Sequence, residues 1–153
     1  MKKVVVAIDG SEVSRGVIDH ALHYAAREKD AELLFIHVVD GSEYKKFSFG
    51  NFSVSVPPSE EEVKTEFCKF IEEQIKISGI AKPASMSFHV ATGSPYDKIV
   101  SFAEKIDADM IMIGHRGLSD MGRFFLGSVA SKVVAHAPCS VYVHRLKSSA
   151  KKG

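Results

Sequence analysis

Along the chain, short unbroken apolar runs alternate with longer stretches in which apolar side chains return every three or four positions. Unbroken runs suit strands covered on both faces of a parallel sheet, and the three-to-four period suits helices with one buried face. Lys2 to Asp9 (KKVVVAID) is a run of the first kind. It ends in Gly10 and Ser11, and the serine is placed to accept hydrogen bonds from the first amides of a helix expected from Glu12 to Lys29. Val13, Val17, Ala21 and Ala25 recur at fours along that helix. Ala31 to Asp40 (AELLFIHVVD) is a second buried strand. Gly41 to Pro58, rich in Ser, Gly, Phe and Lys, reads as a long loop, either functional or mobile, or an inserted connection without a role. Ser59 and Glu62 form a capping box that opens a second helix, with Val63, Phe67, Phe70 and Ile71 on one face and a stop near Gly79. Ser85 to Gly93 alternates like an outer strand. Ser94 and Pro95 offer a cap and a first-turn proline for a third helix, with Asp97 favoured by the dipole and Ile99, Val100, Ala103 and Ile106 buried. Ala108 to Gly114 is a fourth strand, Gly127 to Ala137 a fourth helix and Cys139 to Arg145 a fifth strand.

The succession β-α-β-α-β-α-β-α-β predicts an α/β three-layer sandwich, with helices on both faces of a parallel sheet and right-handed crossovers. One domain is expected over 1–146, including the 41–58 loop, followed by a flexible basic tail over 147–153. In doubly wound sheets, ligands bind beyond the carboxyl ends of the strands, where the winding direction reverses. Asp9-Gly10 and Gly114 to Gly117 both stand at such ends, and they flank one crevice if the first and fourth strands are neighbours.

Composition adds exclusions. With 45% hydrophobic and 25% charged residues and a net charge of +1, the total favours neither a nucleic-acid backbone nor an anionic membrane. Arg145, Lys147, Lys151 and Lys152 read as a solvated tail rather than a recruitment signal. Cys68 and Cys139 lie far apart with no Cys-x-x-Cys pair, so a disulfide framework or thiol-rich metal site is not expected. No run approaches the roughly twenty apolar residues of a membrane span. The N-terminal run is too short for a signal-peptide core and is interrupted by Asp9, so a cytoplasmic location is expected.

Candidate chemistry concentrates in IGHRGLSDMGRFFLGS, Ile113 to Ser128. Bare glycines at Gly114 and Gly117 permit positive φ and let a ligand approach the backbone, and Gly127-Ser128 opens a helix whose unpaired amides attract phosphate. Arg116 and Arg123 bracket the stretch and can reach phosphate oxygens, or stay solvated. The spacing fails the P-loop template, because no lysine follows Gly127, and the Rossmann fingerprint is missing after the first strand. The plain alternative is that these glycines merely end a strand and punctuate a loop. His115 is a candidate proton shuttle without a visible nucleophile, and Asp9 is a candidate base or a turn-capping and ligand-orienting group. The His136 and Cys139 pair offers two ligands, too few for a closed metal site.

The pattern Gly114-x2-Gly117-x9-Gly127-Ser128, with VVVAIDGSEVS near the start, LLFIHVVD behind it and GSPYDKIV before the fourth strand, resembles the nucleotide-binding branch of the universal stress protein family from Lys3 to about Arg145. The resemblance implies an adenine nucleotide alpha hydrolase-like sheet in order 3-2-1-4-5 with four helices, and ATP bound between strands one and four. Asp9 matches the acidic position near adenine and ribose, with Ala7 on the same strand end, and Val38 matches the position whose backbone reads the adenine edge. Gly114 would lie near the ribose, while Gly117, Gly127, Ser128 and the Val129 amide would hold phosphates that themselves carry Mg or Mn. It further implies a homodimer through the last strand, Ser140 to His144. An apolar edge strand is independently disposed to pair with its copy, with coverage by the basic tail as the competing account. The expected function is a nucleotide-dependent stress-response module with little or no turnover and an unidentified protein partner. A slow ATPase or transferase, or a dimeric scaffold without nucleotide, are the alternatives.

Overall fold

The computed structural model describes residues 2–116 and 126–146. Five strands form one parallel sheet: β1 (Lys2–Ala7), β2 (Ala31–Val39), β5 (Met86–Thr92), β6 (Met110–Gly114) and β7 (Ser140–His144), in the order β5-β2-β1-β6-β7. In chain order of these strands that is 3-2-1-4-5, as the resemblance implies. Helices α1 (Glu12–Arg27), α2 (Glu60–Ser78), α3 (Pro95–Ile106) and α4 (Ser128–His136) connect them.

The sheet sits between two apolar layers. Successive β1 side chains point to opposite faces, so Val4 and Val6 join Val17, Ile18, Leu22, Phe35 and Ile71 under α1 and α2. Val5 and Ala7 join Ile36, Ile99, Ala103, Ile111 and Val133 under α3 and α4. Double coverage explains why β1 reads as an unbroken apolar run, each fully buried Val or Ile contributing about 1.5–3 kcal/mol. The β1–β2 register pairs Lys2 with Ala31 through Ala7 with Ile36, and β1–β6 pairs Val4 with Met110 through Val6 with Met112. The ends of β1, β2 and β6 therefore open at one rim of the sheet, with β1 at the point where the winding reverses.

Helix starts follow the expected chemistry in two cases. Ser11 accepts the Ser14 amide at 3.3 Å, and Ser59 accepts the Glu62 amide at 3.1 Å. Gly79, at φ 71°, closes α2 in the left-handed conformation. Ser94 departs from expectation: it occupies the cap position of α3 but makes no side-chain capping bond, and Pro95 fixes the first turn through its own φ.

Residues 41–58 also depart, since they are not an irregular loop. A short 3-10 turn (Gly41–Glu43) leads into an antiparallel hairpin, β3 (Lys45–Phe49) and β4 (Phe52–Val56), which forms a separate two-stranded sheet. Gly50-Asn51 makes its two-residue turn, with Gly50 at φ 58°.

Candidate functional site

At the rim, β1 ends at Ala7 and the chain turns into α1 through Gly10, whose φ of 84° favours glycine. The turn is held by side chains. The Asp9 amide donates to Ser14 Oγ at 2.9 Å, and the same hydroxyl donates to Asp9 Oδ1 at 2.9 Å. The Ser11 amide donates to Asp9 Oδ1 at 3.0 Å. Asp9 is thus a turn-orienting carboxylate whose direction is set by two serines, as one of the two sequence readings has it.

A cavity of about 330 Å³ opens beside this turn. Its floor is apolar, made by Ala7, Ile36, Val38, Ile99, Ile113 and Val129. From the β1–β2 side come the carboxylates of Asp9, Asp40 and Glu43; from the β6–α4 side come Gly114, Arg116 and the first turn of α4, Ser128 to Ala130. The walls are therefore polarised, acidic where β1 and β2 end and electropositive where α4 begins. Ser131 makes the first helical bond of α4, donating to the Gly127 carbonyl at 2.9 Å. The amides of Ser128, Val129 and Ala130 precede that bond, so they are the donors a helix start leaves for an anion, reinforced by the macrodipole.

The sequence candidates divide clearly. Ala7, Asp9, Val38, Gly114, Arg116, Ser128 and Val129 all line the cavity. Gly127 stands just behind it as the N-cap of α4, and its own amide is engaged, donating to the His115 carbonyl at 2.7 Å. Gly117 and Arg123 lie outside the described residues. Gly114 does not take the positive φ expected of it, though it lines the cavity, and a Cβ there would meet Val13 Cγ1 at 2.5 Å. Its missing side chain lets α1 pack on the end of β6.

His115 does not line the cavity. It is 2% exposed, and its Nδ1 has no hydrogen-bond partner among the described residues. Burial pushes its imidazole below the ordinary value, against a backbone hydrogen bond at His144 that raises it. Its amide donates to the His144 carbonyl at 2.8 Å, so its main chain ties β6 to β7 while its carbonyl holds Gly127. His136 packs its ring against Tyr96, and Cys139 is half-buried with its thiol pushed up by burial. Among the described residues no three His, Cys, Asp or Glu side chains are grouped to hold a metal, and no helix is long and apolar enough to cross a membrane.

Sequence reasoning passed over His37 and Glu43. His37 Nδ1 lies 3.0 Å from the Ile8 carbonyl and Nε2 lies 3.2 Å from Glu43 Oε1, so one ring joins the end of β1 to the 3-10 turn before the hairpin. The available signal was a single polar residue inside the apolar run LLFIHVVD.

A profile of the universal stress protein family matches residues 1–145. A universal stress protein of Methanocaldococcus jannaschii is 35% identical over 147 residues, covering 93% of this chain and 81% of that protein. One from Synechocystis is 30% identical over 152 residues, covering 92% of this chain and 96% of its own. Among solved structures, the universal stress protein from Archaeoglobus fulgidus in complex with dAMP is 25% identical, with a TM-score of 0.63 over 95% of this chain and 98% of that one. UspA from Lactobacillus plantarum shares the fold at 24% identity, with a TM-score of 0.70 over 94% and 97%. The chain belongs to the universal stress protein family.

Proposed function

We propose that this protein is an ATP-binding universal stress protein, a nucleotide-dependent regulatory module with little or no catalytic turnover. The observation that carries the reading is the polarised cavity: three helix-start amides and Arg116 on one side, an apolar floor, and the Asp9, Asp40 and Glu43 carboxylates on the other. At about 330 Å³ it is at the small end of ligand sites, which run roughly 300–1,000 Å³, a size suited to a mononucleotide. A phosphate at an exposed helix start gains only about 0.3–1 kcal/mol from the macrodipole, whereas micromolar affinity needs about 8 kcal/mol. Burial of a base on Ala7, Val38 and Ile99 therefore has to supply much of the remainder. The dAMP complex of the Archaeoglobus fulgidus relative supports an adenine nucleotide.

In this reading the adenine edge meets the Val38 backbone and Asp9 faces the base or ribose. Gly114 flanks the ribose, and the Ser128 and Val129 amides hold phosphate, assisted by Arg116 and by Gly117 and Arg123. Mg or Mn rides mainly on the phosphates. The domain spans residues 1–146 and works as a homodimer through β7, a half-exposed edge strand, reporting nucleotide occupancy to a protein partner in the cytoplasm.

Equilibrium titration with ATP and a divalent ion tests the reading. Saturation is expected between micromolar and millimolar concentrations, weakened by Gly127→Val, with no robust phosphate release. Turnover abolished by Asp9→Asn with binding retained would replace the regulatory reading with an enzymatic one.

A further inference from the structure

The β3–β4 hairpin is amphipathic in a way the nucleotide site does not use. Cross-strand partners share a face, so Phe47, Phe49, Phe52, Val54 and Val56 lie on one side with Lys45, and Lys46, Ser48, Ser53 and Ser55 lie on the other. The apolar side is open: Phe47, Phe49 and Phe52 are 47%, 67% and 63% exposed. A lone two-stranded hairpin is marginal in water, and an exposed aromatic face of this kind marks a contact surface.

A second cavity of about 650 Å³ lies at the root of the same hairpin, across the His37–Glu43 contact from the first. Val63, Phe67 and Phe70 give it apolar walls, and Glu62, Glu66 and Glu73 give it acidic ones. Glu73 meets Arg15 at 3.4 Å and Glu66 meets Lys69 at 3.8 Å, while Glu62 has no ion-pair partner among the described residues. Charge is strongly divided between arm and groove. Residues 44–58 carry two lysines and no acid, whereas α2 lines the groove with Glu62, Glu66 and Glu73 against Lys69. Neither Lys45 nor Lys46 pairs with a carboxylate among the described residues.

We infer that the hairpin is an exchange arm: it seats in the second cavity of another copy of this chain, phenylalanines against Val63 and Phe70, and Lys45, which shares their face, against Glu62 and Glu66. The two surfaces are complementary in both hydrophobicity and charge. An arm that springs from the rim of its own groove can be swapped reciprocally across a two-fold axis, closing a dimer and covering both grooves. This contact is separate from β7 and does not depend on nucleotide binding. The shared His37–Glu43 wall places it next to the first cavity.

The test is cross-linking between differently labelled copies in a Cys68→Ser/Cys139→Ser chain, one carrying Asn51→Cys at the hairpin tip and the other Lys69→Cys beside the groove. Mild oxidation is expected to yield roughly tenfold more tip-to-groove disulfide than a Ser101→Cys control on exposed α3, reflecting the high effective concentration of seated partners. On the chain with native cysteines, Lys45→Glu is expected to lower the assembly state in sedimentation velocity, and added Glu62→Lys/Glu66→Lys to restore it. Crossed product no greater than control, or a sedimentation profile unchanged by the lysine reversal, overturns the arm exchange.

Discussion

Replacing Gly114 by alanine isolates the packing of α1 on the end of β6 beside the first cavity. The new methyl would lie 2.5 Å from Val13 Cγ1 and 3.3 Å from Val13 Cβ, where carbon atoms ordinarily rest about 3.5–4.0 Å apart. Val13 cannot easily yield: it is buried in the first turn of α1, and its branched side chain is stiff at χ1. The helix start must move instead, carrying with it Ser14 and the hydrogen bonds that aim Asp9. Overpacking of this kind costs about 1–3 kcal/mol, and each kcal/mol lowers Tm by about 2–4 °C in a domain of this size. Removing both Val13 γ-methyls relieves the closest contact. A double-mutant cycle of Gly114→Ala with Val13→Ala, read by urea and thermal unfolding, is therefore predicted to show a favourable coupling of about 0.5–3 kcal/mol. Additivity within about 0.5 kcal/mol, or a Gly114→Ala variant as stable as the parent, refutes the packing role of this glycine.

Further predictions follow from the same geometry. Ser14→Ala removes a buried hydroxyl that serves the Asp9 amide and carboxylate, and is expected to cost about 1–3 kcal/mol of stability and to weaken ATP binding; intact affinity in calorimetry would separate Asp9 orientation from binding. Burial pushes His20, His89, His115 and His144 below the ordinary value of 6.5, so the unfolded chain binds their protons more readily. Their contribution is then full above about pH 6.5 and is lost as pH falls below it, so the urea midpoint should drop between pH 7.5 and pH 5.5; an unchanged midpoint contradicts this. Burial also raises the Cys68 and Cys139 thiols, so both should react slowly with a disulfide reagent at neutral pH in the folded chain and quickly in denaturant. Rapid labelling of both in the folded state would be the contrary result.

The sheet was legible because its central strands are buried on both faces: a run such as Val4 to Ala7 has no solvent side to dilute the signal. The hairpin was missed for the opposite reason. Its phenylalanines are exposed, so they read as loop composition, although Phe47-Ser48-Phe49, Gly50-Asn51 and Phe52-Ser53-Val54 carry the period of two and the two-residue turn of a hairpin. The α4 wall of the cavity could be anticipated because a helix start is a local property of Gly127-Ser128. On its other wall Ala7, Asp9 and Val38 could be read from the strand ends, but the His37–Glu43 contact could not. His37 and Glu43 meet only through the bend after β2, and the bareness of Gly114 answers to Val13, a residue far away in the chain that only the fold brings near.

The central claim is that an adenine nucleotide lies across the first cavity with its phosphates at the start of α4. Amide chemical-shift mapping during an ATP titration of the isotope-labelled protein tests it most directly. The account predicts saturable shifts concentrated at Val38, Gly114, Ser128, Val129 and Ala130, with the amides of Glu66 and Lys69 in the second cavity unmoved. Shifts absent at millimolar ATP, or confined to residues away from the α4 start, would contradict it.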